Sequence, residues 1–410
     1  MKELFANRVL ANDTSDLDEI FKNSVNPENI SFAGGFPDSR RFPDADLKQA
    51  YQTAIDQQGP AIFQYSATEG PQNLRQKLAD RMQSHAGVTA TADNIMLTQG
   101  GQQAIDLVAK LLLNHGDAMV VEGPTYMGAL AAFDTYEPTY YEVPVDQNGM
   151  NIRALRKTLQ AHPEIKLIYT IPDFHNPTGT TLSAKRRQAM VALANQYDVI
   201  ILEDSPYRDL RYSGKSVPAI KHYDTEGRVI FISSFSKILS PALRTGWIVA
   251  DQPIMSELIG LKSAIDVQSP NVTLQAINSY LDQHDIDAHI ATINAAYRLK
   301  RDAMLAALDR YFPKNITYTR PAGGFFIWVT LPSDIDAKQL LETKVLPQAH
   351  VAYVPAACQF ASRTVKNGFR LNFTSLDPVT ITAGIKRLGA LLQANQAVAP
   401  ALPLKTAIQF

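Results

Sequence analysis

Between Asn94 and Ala250, short apolar runs recur at intervals that leave room for a helix between several of them. This rhythm constrains the fold more than any other feature of the chain. The runs are Ile95 to Leu97, Ala118 to Val121, Tyr140 to Val143, Leu167 to Ile171, Val199 to Leu202, Val229 to Ile232 and Trp247 to Ala250. Helical patterns lie between them, notably the spacing of Ile105, Val108, Leu111 and Leu112 and the stretch Ala184 to Tyr197. Strands that read as unbroken apolar segments are buried on both faces, and the intervening helices supply the cover. The chain is therefore predicted to be α/β, with a mostly parallel sheet and helices on both faces, over residues 45–265. After Pro253 the pattern turns helical, and the last third mixes strands (Phe325 to Thr330, Phe369 to Phe373) with a final helix from Pro378 to Gln393. A smaller α+β domain is expected from residues 266–396, joined by the N-terminal segment 1–44, with an extended tail over 397–410. Within the N-terminal segment, Thr14 or Ser15 can cap a short helix carrying Leu17, Ile20 and Phe21.

Composition narrows the function classes. A chain of 410 residues with 45% apolar and 19% charged residues is ordinary for a soluble globular protein. A net charge of -1 argues against nucleic acid or an anionic membrane surface as the main partner. Cys358 is the only cysteine, so no internal disulfide forms, and a reducing compartment is expected. No run is long and apolar enough to span a bilayer, and the N-terminus lacks the apolar core of a signal peptide. The expected location is cytoplasmic.

In an open α/β sheet, ligands bind outside the carboxyl ends of the strands, at helix N-termini. The residues just past each apolar run therefore matter most. TQGGQQA opens a helix at Gly100, Gly101 and Gln102; its free amides suit a phosphate, and a plain turn is the other reading. EGPTY places Tyr126 either over a flat cofactor ring or against the sheet. PDFHNPTG demands a turn, from which Asn176 can point as a donor to a phenolate oxygen. EDSPY sets two carboxylates at a strand end, where Asp204 can hold a proton on a pyridinium nitrogen or cap the strand, with Tyr207 close behind. FISSFSKILSPALRTGW gathers Ser234, Ser236, Lys237 and Arg244 at the mouth of the sheet. Hydroxyls, a forked guanidinium and loop amides suit a phosphate, and the amine suits a Schiff base with a pyridoxal aldehyde. Upstream, the paired glycines of SFAGGFP (Gly34, Gly35) leave backbone open to close approach. Each motif is modest alone, but in order they make one complete set of groups for a pyridoxal ring.

SFAGGFPD, YSATEGPQNLR, HNPTG, EDSPY, SFSKILSPALRTGW and GFRLNF together resemble the fold-type I, pyridoxal-phosphate-dependent aminotransferases of class I/II. The likeness is greatest to the branch with 2-aminoadipate, kynurenine, aromatic and branched-chain enzymes, and runs from about Ser15 to Gly389. It implies pyridoxal 5′-phosphate as cofactor, with Lys237 as its covalent anchor and the general base. It further implies Asp204 at the pyridinium nitrogen, Asn176 and Tyr207 at the ring oxygen, and Tyr126 over the ring. The phosphate would sit on Gly101, Gln102, Ser234, Ser236 and Arg244, and Tyr65 would reach the neighbouring subunit's phosphate in a homodimer with shared sites. Arg370 would clamp the substrate α-carboxylate, with Asn176, Gly35 and Tyr65 also at the substrate; by alternation alone, Arg370 in FRLNF would be solvated.

The expected reaction exchanges an amino group between an amino acid and a 2-oxo acid such as 2-oxoglutarate. The alternatives are a 2-aminoadipate-type transaminase, or a lyase or decarboxylase on the same fold, since one cofactor site serves several bond cleavages. A non-enzymatic regulator domain is disfavoured by the absence of a basic N-terminal domain. Where relatives acting on acidic side chains commonly carry arginine, this chain has Asp18. A neutral donor, aromatic or branched-chain, is therefore expected, with Phe36 and Phe42 lining an apolar pocket; Arg40 and Arg41 are the nearest cations in sequence, and a solvent-exposed position is the other reading for either.

Overall fold

The computed structural model describes residues 4–6, 8, 9, 22 and 26–397. Asp18, the expected short helix around Leu17 and the tail beyond residue 397 lie outside the described residues. In chain order the strands are β1 (Ile30–Ser31), β2 (Ile95–Thr98), β3 (Ala118–Gly123), β4 (Thr139–Asp146), β5 (Gly149–Met150), β6 (Ile165–Thr170) and β7 (Ile200–Asp204). They continue with β8 (Val229–Ser234), β9 (Gly246–Val249), β10 (Thr317–Tyr318), β11 (Phe326–Thr330), β12 (Val351–Ala352), β13 (Val354–Pro355) and β14 (Gly368–Asn372).

The large sheet has eight strands in the order β2-β9-β8-β7-β6-β3-β4-β5. From β4 through β3, β6 and β7 to β8 every pairing is parallel. The mostly parallel sheet expected from the apolar runs is present. β9 is the exception inside it, antiparallel to both β8 and β2. The physical reason lies in the connection: only residues 235–245 separate β8 from β9, too few for a helical crossover back to the same end of the sheet. Alternation along the strands divides the core in two. Met119, Val121, Leu167, Tyr169 and Leu202 belong to one apolar cluster, and Ala118, Val120, Ile168 and Ile201 to the other. Helices such as Gly100–Leu112 and Gln252–Asp266 pack on the first face, and Ile152–Ala161 and Ala184–Tyr197 on the second.

A second, antiparallel sheet runs β10-β11-β14-β13. β1 pairs in parallel with β12, and Phe32 continues the link: its N–H donates to Ala352 O and its carbonyl accepts from Asn372, both at 2.8 Å. This pairing carries Ala33–Pro37 across the carboxyl ends of the large sheet, so both sheets face one space. The expected strand at Phe325 to Thr330 starts one residue before β11, and that at Phe369 to Phe373 is shifted by one residue from β14, but the solvated face expected of β14 does not exist. Every residue of β14 is buried, Arg370 included.

The turn after β6 is fixed by charge. Asp173 accepts from Arg187 through both oxygens (2.7 and 3.1 Å) and from Arg208 at 2.9 Å, and both Asp173 and Arg187 are buried. The two arginines hold the Asp173 carboxyl below the usual carboxylate range although burial alone would raise it. Asp173→Ala leaves two buried guanidiniums with carbonyl acceptors but without their counter-charge and should cost about 3–5 kcal/mol. Chemical denaturation measures this, and a loss below about 1 kcal/mol contradicts it.

Candidate active site

Strand ends and helix starts converge on a cavity of about 450 Å³. Its walls come from the Ala33–Pro37 crossing, the start of helix Gly100–Leu112, the loops after β3, β6, β7 and β8, and Phe326 and Arg370 of the smaller sheet. Gly35, Gly101, Gln102, Tyr126, Asn176, Asp204, Tyr207, Ser234, Ser236, Lys237, Arg244 and Arg370 all line it. Of the residues singled out in the sequence for the site, Tyr65 stands apart: it is 79% exposed and does not line the cavity of its own chain.

One end of the cavity gathers hydroxyls, amides and a guanidinium, donors suited to an anion. Ser234 Oγ donates to Ser236 Oγ at 2.8 Å and accepts from the Ser236 N–H at 3.0 Å, so two hydroxyls sit on one turn. Arg244 takes a left-handed φ of 45° and donates through Nη2 to Gln99 O at 3.0 Å. Gly100 is required there: a Cβ would lie 2.6 Å from Arg244 Nη2, and its φ of +76° is unfavourable for other residues. A Cβ on Gly101 would meet nothing within 4 Å, so the first helical turn stays open to a ligand. Gln102 turns aside and donates to Gly128 O at 2.6 Å.

At the opposite end of the chemistry stands Asp204. It is buried, and burial pushes its carboxyl up to about 7 despite a 2.8 Å hydrogen bond from Tyr169 Oη and the attraction of Lys237. Glu203, beside it on β7, faces the other way and accepts from the Ile220 and Lys221 N–H groups at 2.8 Å. One carboxylate of the pair is thus structural and the other is aimed into the cavity. Tyr169 was not singled out in the sequence. The signal was a tyrosine within an apolar strand, whose hydroxyl needs a partner once buried.

Lys237 lies between these ends. Its Nζ donates to Gly35 O at 3.0 Å. Burial, then the nearby Arg370 and Arg244 charges, lowers the amine to about 8, with Asp204 opposing. A sizeable fraction is therefore neutral and nucleophilic at mildly alkaline pH. Arg370 donates through Nη1 to Asn176 Oδ1 at 2.9 Å and through Nη2 to Ala33 O at 2.5 Å, over the Phe326 ring at 4.2 Å. Burial lowers its guanidinium to about 10, and its buried Nε has no partner, so it retains capacity for an anion. With Asn176 Oδ1 engaged, the amide N–H₂ is left to donate, and it hydrogen-bonds Tyr207. The Tyr126 ring packs over Gly128, where a Cβ would come within 2.4 Å of it.

Phe36 lines the cavity, but Phe42 does not. Nor do Arg40 and Arg41. Arg40 forks onto Asp38 at 2.8 and 3.0 Å instead, and Asp38 is also held by the buried Lys300 at 2.7 Å. Both arginines are exposed and neither lines the cavity, so of the two readings the solvent-exposed one holds. A lone Arg40 in sequence gave no sign that Asp38, two residues earlier, would capture it.

These groups fit pyridoxal phosphate: hydroxyls, amides and a guanidinium at one end, a low-pKa amine in the middle, and a buried carboxylate that feels Lys237 without forming an ion pair with it. The fold and this donor set define a fold-type I pyridoxal-phosphate enzyme. The chain belongs to the aminotransferase class I and II family, which it matches over residues 33–388. It is 40% identical to aromatic-amino-acid aminotransferase 1 of Thermococcus litoralis over 96% of this chain and 94% of that protein. Among solved structures, a Pyrococcus horikoshii kynurenine aminotransferase in complex with PMP is 39% identical with a TM-score of 0.91, covering 96% of this chain and 98% of that one. An α-aminoadipate aminotransferase of Thermus thermophilus, complexed with N-(5′-phosphopyridoxyl)-L-leucine, is 31% identical with a TM-score of 0.89, covering 97% of this chain and 99% of that one. The protein is a pyridoxal-phosphate-dependent transaminase, acting on an amino acid and a 2-oxo acid. Among the described residues no helix is long and apolar enough to cross a membrane.

Because the Asp204 pKa is raised on folding, the native state keeps this proton longer than the unfolded chain does. The resulting cost to the cofactor-free protein is absent below about pH 4 and complete above about pH 7. Asp204→Asn should therefore stabilise that form at pH 8, on the order of a few kcal/mol, with the gain vanishing towards pH 4. Thermal denaturation across this range tests it; a difference that does not change with pH contradicts it.

Proposed function

We propose that this transaminase draws amino groups preferentially from neutral donors, aromatic or branched-chain, and passes them to a 2-oxo acid such as 2-oxoglutarate. The carrying observation is the inventory of cations at the site. Among the described residues that line the cavity, only Lys237, Arg244 and Arg370 are cationic, and each has a task. A buried distal carboxylate on the donor would find no fourth cation, and an unpaired buried charge costs several kcal/mol. Apolar walls at Ile105, Met127, Phe36 and Phe326 favour neutral side chains instead. An acceptor with a second carboxylate leaves it hydrated at the cavity mouth, where Phe36 is 42% exposed.

In this reading Arg370 binds the α-carboxylate in a forked pair, and Asn176 is held ready by the same guanidinium. Gly35, whose carbonyl accepts from Lys237, lines the substrate side, and its lack of a side chain keeps Phe326 accessible: a Cβ would lie 3.3 Å from the ring. When bound, the cofactor supplies an electron sink for the pair left at the substrate Cα. Asp204 keeps that sink effective by holding a proton on the ring nitrogen, and Tyr169 fixes the carboxylate orientation. Ser234, Ser236, Arg244 and the backbone amides of Gly101 and Gln102 would hold the phosphate, Tyr126 would cover the ring, and Tyr207 with Asn176 would donate to its oxygen. Lys237 Nζ would hold the cofactor aldehyde and is placed to take a proton from the substrate Cα. Its depressed pKa suits a base working near neutrality.

The homodimer, the cytoplasmic location and the division into an N-terminal segment 1–44, a large domain 45–265 and a small domain 266–396 belong to the same proposal. The exposed Tyr65 supports shared sites, since a ring 79% exposed on one chain suits a site on another. The small net charge and single cysteine support an intracellular aqueous setting.

Steady-state comparison of phenylalanine and leucine with aspartate and 2-aminoadipate should give the neutral donors at least about tenfold higher kcat/KM. A clear preference for either acidic donor sinks the neutral-donor reading. For the shared site, mixing inactive Tyr65→Ala and Lys237→Ala chains should regenerate about a quarter of wild-type activity, from the one intact site in each mixed dimer at random assortment. Mixed dimers no more active than their parents contradict it.

A further inference from the structure

Helix Gly100–Leu112 lacks the side-chain cap that usually completes a helix start: its N-cap residue, Gln99, makes no capping hydrogen bond. The Gln99 side chain instead reaches outward and donates from Nε2 to Asp266 Oδ2 at 2.8 Å. Gln103, one turn into the helix, donates to the same oxygen at 2.6 Å and accepts the Gln99 N–H at 2.8 Å. Asp266 Oδ1 takes a 2.7 Å bond from Lys262, a lysine 0% exposed on the same helix. The other side of Gln99 is its carbonyl, the acceptor of Arg244 Nη2. One buried lysine, one carboxylate and two glutamine amides thus run in an unbroken chain to the guanidinium of the anion cradle, and neither Lys262, Asp266 nor Gln99 lines the cavity.

This arrangement has a cost that calls for a function. A carboxylate behind a helix N-terminus complements the positive end of the dipole and would compete with a phosphate for it. Burial alone would raise the Asp266 pKa, but the bonds from Lys262, Gln103 and Gln99 hold it below the ordinary value, so the group remains a full anion. Fully burying a lysine to pair with it is expensive unless the pair is well bonded. The pair places one charged acceptor, Asp266 Oδ2, where Gln99 and Gln103 both need it, while Lys262 on Oδ1 offsets the negative charge that this acceptor brings.

We propose that Lys262 and Asp266 are positioning residues for the cofactor phosphate: Asp266 fixes Gln99 and hence Arg244, and Lys262 neutralises Asp266 so that the fixed cradle still attracts an anion. The proposal rests on the assignment of Arg244 and the Gly100–Leu112 helix start to the phosphate. It concerns affinity for the phosphate and leaves the ring and the amine untouched.

The test titrates the full-length protein, cleared of cofactor, with pyridoxal 5′-phosphate and separately with pyridoxal, which lacks the phosphate, and follows the absorbance of the bound ring. Lys262→Met keeps the acceptors but leaves Asp266 uncompensated. It should raise the dissociation constant for the phosphorylated cofactor about tenfold and change that for pyridoxal less than about twofold. Gln99→Ala cuts the link to Asp266 without burying a charge, and should give a loss selective in the same way. It carries the test alone if Lys262→Met does not fold. Equal losses for both ligands, meaning a general disturbance of the site, or no loss for either, overturn the proposal. Arg244→Met serves as the reference. If it shows the selective loss while Gln99→Ala does not, only the positioning role falls; if it shows none, the phosphate assignment falls and takes the positioning role with it.

Discussion

Burial of charge without its partner is the constraint on which the site depends. Asp204 and Arg370 are nearly inaccessible, and Lys237 sits between them, yet none has an ion-pair partner within 4 Å among the described residues. Desolvation accordingly moves each towards its neutral form: the carboxyl up to about 7, the amine down to about 8, the guanidinium down to about 10. Such groups are costly in a core and are tolerated where a ligand supplies the missing charges. A ring cation, a phosphate and a substrate carboxylate are complementary to this set.

The remaining architecture keeps those groups in place and apart. Parallel strands deliver Asp204, Asn176, Tyr126 and Lys237 to one edge because every parallel crossover returns the chain to the same end of the sheet. The reversed strand β9 lets Arg244 approach that edge from the opposite direction, on the loop that also carries Lys237. The link from β1 through Phe32 to β14 draws Gly35 and Arg370 across the opening, so the substrate end is built from both sheets. Charge pairs away from the cavity, such as Asp173 with Arg187 and Asp38 with Lys300, are fully satisfied and hold the loops that carry Asn176 and the Ala33–Pro37 crossing. The contrast between paired structural charges and unpaired cavity charges separates scaffold from site.

Much of this was legible in the sequence because apolar runs and strand-end motifs are local signals. The run Val199 to Leu202 announced β7, and EDSPY announced a carboxylate at its end, but not which of Glu203 and Asp204 faces the cavity; strand alternation decides that only against a sheet whose faces are set by tertiary packing. The buried Arg370 was the reverse case. Alternation along FRLNF suggests a solvated face, and only the second sheet packing over the first buries it. Short strands such as β1 and β12 carry too few residues for a periodic signal, although they draw the N-terminal segment onto the site. The partners of Asp204 and Arg40, Tyr169 far along the chain and Asp38 two residues before, were invisible for the same reason: a hydrogen bond between distant or turn-related side chains leaves no period behind.

Everything proposed for this site turns on Lys237 as the amine that holds the cofactor. Borohydride reduction of the holoenzyme, which fixes the cofactor to its lysine, followed by proteolysis and mass spectrometry, tests this most directly. The predicted result is a single phosphopyridoxyl label on the peptide containing Lys237, and no label in Lys237→Ala. A label on any other lysine in the unmodified enzyme, or one retained in Lys237→Ala, would contradict it.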